Sequence, residues 1–435
     1  MPRHIRFGAA APDATFMNNS IQPTPRWQQA FDHLCGWSAV ALVFAAPVSR
    51  SLFLVAALTF IVAWVGAGQY RSKLAFIRAL PVAAPLVLLA SIVALWAPFS
   101  PAPFGDVVNS LKVYSKLLLV LMLAVTFADA RWRARAWSAF TLSMIIVLAS
   151  TYANVFVNLP WSRTQNLGIG ADHSVFMEYV SQSVMTAIFL AMALNKTLCV
   201  TNRKLRLAWA IGAVVAIGSV LFLLQGRSGL VAVVVVVATF LALHTRKSRR
   251  WPAALGVTLL GIALVTSSPL MKSRLTTAYE DIASYQAVDR TSLGLRINMW
   301  KLALDQMVDH PIAGTGSGTY HQIAAQHFGH CEYTCTHPHN QYLFFGMEYG
   351  LIGLLAFLWL LWRLLGMARH STTSESAVLY ALVAVLAVDS LFNVPLWYRA
   401  ISYFFYTMLG LIVASNLPSG SQITATKFRS CKPEA

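Results

Sequence analysis

Residues 337–362 read HPHNQYLFFGMEYGLIGLLAFLWLLW, and this stretch indicates the architecture of the chain. Two histidines and an asparagine stand directly before an almost uncharged apolar run, and that run has the length of about 20 residues with which a helix crosses a bilayer. The polar part of the stretch therefore ends at a membrane boundary. A titratable group at such a boundary takes part in chemistry more often than in folding.

The whole chain has the composition of a membrane protein. Of its 435 residues, 57% are hydrophobic and 11% are charged, and the mean hydropathy is +0.60, whereas soluble domains average about 45–50% apolar and 25% charged residues. We therefore predict an all-α integral membrane protein. Twelve apolar segments of about 20 residues are read as membrane spans, near residues 34–49, 51–68, 79–97, 110–128, 136–157, 174–195, 205–224, 228–244, 251–269, 341–362, 375–393 and 398–416.

The lysines and arginines predict the orientation of these spans. With the N-terminus inside, most of the 33 basic residues lie in the two tails and in the inward connections, as the positive-inside rule requires. The net charge of +17 then follows from topology and lipid headgroups, and we expect no nucleic-acid partner. The predicted organisation is a cytoplasmic tail (1–30), nine spans (31–269), one large external loop (270–340), three spans (341–416) and a second cytoplasmic tail (417–435).

The external loop 270–340 has a helical pattern in its middle. Four apolar residues recur there at helical spacing, which predicts a helix over 294–308 that lies on the membrane surface or against the bundle: Ile297, Trp300, Leu304 and Met307. Pro311 should end this helix, because the residue before a proline is pushed out of the helical conformation.

A glycine-rich run, GTGSG at residues 314–318, follows this helix. Its bare amides, with Gly316 at the centre, are suited to cradle a phosphate as a nest. A flexible turn that links two packed elements is the other interpretation.

Several basic residues lie on the external face, where topology does not require them. Arg227 begins the eighth span after a short connection, and Arg296 lies on the loop helix. Each either reaches solvent and headgroups or forms a bidentate fork on a phosphate. Lys112 and Lys116, one helical turn apart, and Arg163 are further external cations. Together they predict a positive outer surface suited to an anionic lipid such as a diphosphate.

The histidines and cysteines of the loop allow three interpretations of His339: a metal ligand, a structural residue or a catalytic base. The C-x3-C and H-x-H spacings are not standard for zinc, and two cysteines in an oxidising compartment form a disulfide or remain free thiols. We therefore expect no metal and no cofactor. The residues concerned are His310, His321, His327, His330, His337 and His339, with Cys331 and Cys335.

These residues resemble a known family. The order His339, Asn340, nine residues, Gly350, two residues, Gly353 is similar to the H-[NSQ]-x9-G-x2-G signature of bacterial O-antigen ligases. Residues 296–318 resemble the loop that these ligases share with O-antigen polymerases and pilin O-oligosaccharyltransferases, and residues 227–230 resemble the family's arginine-led start of a span.

The resemblance implies a GT-C-type membrane glycosyltransferase of the bacterial inner membrane, with its active site on the periplasmic side. Its donor would be O-antigen polysaccharide on undecaprenyl diphosphate, and its acceptor a sugar hydroxyl of the lipid A-core of lipopolysaccharide. A polymerase or a pilin transferase is the alternative within the family, and a transporter of lipid-linked glycans is the alternative outside it.

The same resemblance implies the roles of single residues. His339 would be the general base, and Arg227 and Arg296 would hold the diphosphate in a metal-independent, inverting transfer. The remaining candidates are predicted to bind substrate, and three of them, Lys112, Lys116 and Arg163, are taken from the external cations and contact either the donor or only lipid headgroups. The others are His337, Asn340 and Gly316.

Overall fold

The structure is a computed structural model that describes residues 25–245, 292–329 and 334–417, with a few isolated positions between 252 and 276. The predicted ninth span (251–269), the first part of the loop and most of both tails lie outside the described residues. The helices are α1 Arg26–Val48, α2 Arg50–Gly66, α3 Tyr70–Ala79, α4 Ala83–Trp96, α5 Phe104–Tyr114, α6 Lys116–Phe127, α7 Ala130–Ala153, α8 Tyr179–Cys199, α9 Arg203–Phe222, α10 Arg227–His244, α11 Ser292–Asp309, α12 Thr319–Phe328, α13 Gln341–His370, α14 Ser376–Asp389 and α15 Arg399–Ser415.

The helices agree with the prediction of an all-α, multi-pass membrane protein. Within the described residues, six helical segments are long and apolar enough to cross a membrane, or seven if α2 and α3, which are bent by 113° at their junction, form one span. Helices α4, α14 and α15 are apolar but shorter. The predicted total of twelve spans stays a prediction.

Helix α8 lies inside the bundle, and its amino-acid composition alone does not identify it as a membrane helix. Nearly all of its side chains from Ser181 to Ala193 are buried, and it packs against α9, α10 and α14. Because α8 faces other helices instead of lipid, it can carry polar residues such as Gln182 and Asn195. By contrast, α9 exposes apolar side chains such as Val214, at 69%.

Helix α13 is broken at Gly350, where φ is 61° and ψ is −158°. The break frees backbone groups inside an apolar segment, and these groups pair with residues 311–316. The amide of Thr315 donates to Met347 O (2.9 Å), that of Gly316 to Glu348 O (3.0 Å) and that of Leu351 to Pro311 O (2.8 Å). Unpaired backbone groups are costly in an apolar setting, so the break depends on this partner segment.

The two segments approach so closely that no side chain fits between them. A Cβ atom on Gly350 would lie 2.2 Å from the carbonyl oxygen of Ile312, and one on Gly314 would lie 2.5 Å from backbone atoms of residues 348–350. Both glycines also have a positive φ, 61° and 71°, which L-residues rarely adopt. We call this contact between residues 312–316 and 347–351 the glycine crossing.

Helix α4 and the turn after it hold the glycine crossing from the other side. Trp96 donates its indole N–H to Ala313 O at 2.6 Å, and the hydroxyl of Ser317 donates to Val93 O at 2.9 Å. Ser317 is 0% exposed. The glycine-rich run is therefore a packed turn between α4 and α13.

Helix α11 agrees with the prediction at its C-terminus and differs from it in its buried face. It ends at Asp309, before Pro311, as predicted. Met299, Leu302 and Ala303 are buried, whereas Leu304 is 47% exposed. The predicted stripe was wrong at Leu304 because α11 packs against α13 and a small core around α12, and these neighbours select a different side of the helix.

We expect Gly350→Ala to destabilise the protein strongly. The new methyl group would have to displace the carbonyl of Ile312, and alanine would have to keep a positive φ, which alone costs about 1–2 kcal/mol. Gly366→Ala is the matched control, because Gly366 lies in the same helix with open space around its Cβ position. Thermal denaturation of the detergent-solubilised protein measures the difference, and equal melting temperatures would contradict the role of the glycine crossing.

Candidate functional site

The residues Thr334–Asn340, which we call the His segment, connect α12 to α13. Trp300 of α11 donates its indole N–H to Pro338 O at 2.9 Å. Asn340 caps α13, since its Oδ1 accepts hydrogen bonds of 3.0 and 3.1 Å from two amides of the first turn. His339 lies between these two fixed points.

His339 has an unusual backbone conformation and packs against His337. Its φ is 52°. Residues other than glycine rarely adopt this conformation, and those that do are often found at functional sites. The two imidazole rings lie 4.3 Å apart at 72°, and the amide of His339 donates to Nδ1 of His337 at 3.3 Å. His337 is thereby oriented with Nδ1 as the acceptor, which leaves its proton on Nε2 in the neutral form.

Both imidazoles are held in the neutral form. Burial, and after it the positive charge of Arg296, lowers the pKa of His339 to about 4. Burial and the neighbouring His339 lower the pKa of His337 well below its usual range. Burial disfavours the charged form of an imidazole, so both rings are neutral at pH 7. Nδ1 of His339 has no hydrogen-bond partner among the described residues, so the fold does not use this nitrogen.

The two predicted arginines are electrostatic neighbours. Burial, followed by repulsion from Arg227, lowers the pKa of Arg296, while Tyr179 and Asp389 act in the opposite direction. Arg227 is the first residue of α10 and is exposed, whereas Arg296 comes from α11. Two guanidinium groups with one nearby carboxylate leave a net positive charge, which suits a group with two negative charges.

A short polar chain fixes the start of α10 beside Arg227. Nδ2 of Asn393 donates to Asp389 Oδ1 at 2.6 Å and to Ser228 Oγ at 2.9 Å. Ser228 and Asn393 were not predicted as site residues. Ser228 lies in the arginine-led run that carried the resemblance, whereas Asn393 belongs to a connection between spans that has no distinctive spacing.

Arg163, one of the further predicted cations, is already paired. It lies 3.6 Å from Glu178, which also binds Arg50 at 3.1 Å. This cluster acts electrostatically on Tyr398, whose ring lies 6.1 Å from that of His337. Arg163 is therefore linked to the histidine pair only through intermediate neighbours.

Lys112 and Lys116 lie where α5 meets α6. Lys112 is exposed, and Nζ of Lys116 lies 4.8 Å from the centre of the Tyr403 ring. Among the contacts of the described residues, neither lysine reaches His337 or His339.

The amides of the glycine-rich turn bind an acidic side chain, and this side chain belongs to the protein itself. The amides of Gly318 and Tyr320 donate to the carboxylate of Glu348, with the latter bond at 3.3 Å. The amide of Gly316 donates to the carbonyl of Glu348. Gly316 was predicted to bind substrate, but its amide is occupied within the fold.

The remaining loop histidines do not converge. His321 binds Asp106 at 3.0 Å, His327 packs on Phe328 and His310 is exposed. Cys335 is disulfide-bonded, and His330 and Cys331 lie outside the described residues. Within the part of the chain that the structure describes, no three His, Cys, Asp or Glu residues are grouped to hold a metal ion.

We expect Asn340→Ala to lower stability by about 1 kcal/mol, the usual effect of losing a helix cap, and to disturb His339 beside it. Asn340→Asp is the matched variant, because a carboxylate keeps the acceptor for the two amides. Thermal denaturation should therefore show a loss for the alanine variant and little change for the aspartate variant. Equal losses in both would contradict the capping role, because the aspartate keeps the acceptor that the two amides need.

Comparison with known proteins agrees with the resemblance seen in the sequence. The family model "Wzy_C: O-Antigen ligase" matches residues 212–358. A protein of Haemophilus influenzae, described as uncharacterized, is 32% identical over 144 residues, which make up 30% of this chain and 35% of that protein. The chain thus aligns with about a third of that relative. The family match includes Arg227, Arg296, the glycine crossing and the His segment, so this part of the chain is similar to the O-antigen ligase family.

Proposed function

We propose that the protein is an O-antigen ligase. It transfers O-antigen polysaccharide from undecaprenyl diphosphate to a sugar hydroxyl of lipid A-core, as a GT-C-type enzyme on the periplasmic side of the bacterial inner membrane, with both termini cytoplasmic. The observation that carries this proposal is the buried, neutral imidazole of His339, on which Arg296 acts electrostatically, with Arg227 acting in turn on Arg296.

In this mechanism His339 acts on the acceptor. A sugar hydroxyl is a poor nucleophile, but its proton becomes acidic as its oxygen bonds to the anomeric carbon of the donor. A neutral imidazole within hydrogen-bond distance takes that proton in the transition state. His337 is a positioning residue, because its Nδ1 holds the amide of His339.

Arg227 and Arg296 act on the leaving group. The bond from the anomeric carbon to the diphosphate breaks as the new glycosidic bond forms, and the electron pair leaves with the diphosphate. Fixed guanidinium groups stabilise this growing negative charge. A direct displacement inverts the anomeric carbon. Since the arginines supply the positive charge, the proposed reaction is metal-independent.

Binding of the donor should strengthen the base. Part of the lowering of the His339 pKa comes from the charge of Arg296. A bound diphosphate compensates that charge and so raises the pKa of His339 towards its usual value. The base therefore becomes effective when the donor is in place.

The pH profile tests this coupling. A base loses activity as the pH falls through its pKa, and kcat/KM reports the free enzyme whereas kcat reports the loaded one. For the donor as varied substrate, we expect the acid limb of kcat/KM near the pKa of about 4 of the free enzyme, and the acid limb of kcat at higher pH. Coincident acid limbs would contradict the coupling between Arg296 and His339.

Substitutions test the roles of the residues. We expect His339→Asn, Arg227→Ala and Arg296→Ala each to lower transfer by at least about 100-fold, the range for loss of a general base or of transition-state charge stabilisation. Two controls should keep most activity. His337→Asn retains an acceptor for the amide of His339, and Arg206→Ala removes an exposed arginine from the start of α9. Transfer is measured as polymer on lipopolysaccharide at equal protein level. Normal transfer by the His339 variant would exclude it as the base.

The fate of the glycan in cells that lack the protein tests the reaction itself. A ligase predicts full-length polymer stranded on the polyprenyl carrier, with bare lipid A-core. Single repeat units on lipid A-core would indicate a polymerase instead, and unchanged lipopolysaccharide would direct attention to a protein acceptor such as pilin.

A further inference from the structure

A small polar pocket lies beside the His segment, between α5, α12 and α13. Its polar and aromatic lining comes from residues that the proposed mechanism does not use: Asp106, Asn109, His321, Thr336, Glu348 and Trp397. The space is small, so it suits one or two hydroxyl groups of a ligand better than a whole sugar ring.

The pocket has an accessible rim and a buried floor. Asp106 and His321 form the rim, joined by a 3.0 Å contact and partly exposed. Glu348 forms the floor and is 1% exposed. One of its oxygens accepts from the amide of Tyr320, and the other, Oε2, has no hydrogen-bond partner among the described residues. A buried carboxylate oxygen without a donor is costly, so this atom is suited to accept a hydrogen bond from a ligand.

The pocket adjoins the His segment but lies on different helices from the arginines. Thr336 directly precedes His337, and Trp397 precedes Tyr398, whose ring lies 6.1 Å from that of His337. Arg227 and Arg296 come from α10 and α11, whereas the rim comes from α5 and α12. A ligand in the pocket would therefore reach the base from other elements than those proposed to hold the diphosphate.

We propose that this pocket binds hydroxyl groups of the acceptor saccharide, next to the hydroxyl that is glycosylated. Carboxylates, an amide, a hydroxyl and an indole form the set of groups that matches sugar hydroxyls and the apolar face of a sugar ring. The carboxylate of Asp106 at the rim repels a diphosphate, which disfavours binding of the charged part of the donor. This inference deepens the proposed function and rests on it.

Transfer kinetics test the pocket with the full-length protein in nanodiscs, an undecaprenyl diphosphate-linked glycan as donor and purified lipopolysaccharide without O-antigen as acceptor. We expect Asn109→Ala, Thr336→Val and Asp106→Asn each to raise the acceptor KM, by about tenfold where a hydrogen bond to a charged group is lost. The donor KM should stay within about twofold. Asp305→Asn, an exposed aspartate on α11, is the matched control. Gel filtration and thermal denaturation verify that each variant folds.

The outcomes separate this inference from the proposed function. An unchanged acceptor KM, or a rise in the donor KM instead, would overturn the pocket assignment while leaving the transferase intact. If the wild-type protein transfers no glycan, the proposed function fails, and binding of the same lipopolysaccharide is then measured directly. Variant-dependent affinity would still support a saccharide pocket, whereas equal affinity in all variants would refute it.

Discussion

The contact between two bare backbones at Gly314 and Gly350 determines how the rest of the site is built. A helix that crosses an apolar region forms all hydrogen bonds of its backbone within itself. At its break, α13 lacks some of these internal hydrogen bonds. The loop segment supplies the missing partners, so the loop is pulled into the bundle instead of lying over it. Because residues 312–316 are fixed in this way, the positions of α11, which precedes them, and of α12, which follows them, are constrained. The His segment then closes the same loop onto the first turn of α13.

The second constraint is electrostatic. Arg296 lowers the pKa of the imidazole of His339. Repulsion from Arg227 in turn lowers the pKa of Arg296. Such a group of mutually repelling cations is poorly stabilised until an anion arrives. The fold accommodates it with one nearby carboxylate, Asp389, held by Asn393. The glycine-rich turn differs, because its amides bind the carboxyl group of Glu348, which belongs to the protein itself.

Periodic and local features of the sequence predicted the fold well. Apolar runs located the helices, and Pro311 located the end of α11. Both signals arise from interactions of the backbone and of solvent with residues that are close together in the sequence. The resemblance grouped Arg227, Arg296 and His339 into one site, and these residues are electrostatic neighbours in the structure, although their roles stay predictions. The buried face of α11 and the use of the Gly316 amide could not be predicted, since both depend on helices distant in the chain. The signature contained Gly350 but did not explain why a glycine stands there. The structure explains it, because a Cβ atom at this position would clash with the carbonyl oxygen of Ile312.

The break in α13 also divides the helix into two mechanical parts. The part up to Leu351 is joined to the loop through the glycine crossing and the His segment, whereas the part after it exposes large apolar side chains such as Leu355 and Trp362. Membranes differ in thickness, and a lipid-facing helix adapts by tilting. The break at Gly350 separates the lipid-facing part from the part that follows the His segment. We expect a change in bilayer thickness to tilt the lipid-facing part of α13 more than the part that follows the His segment.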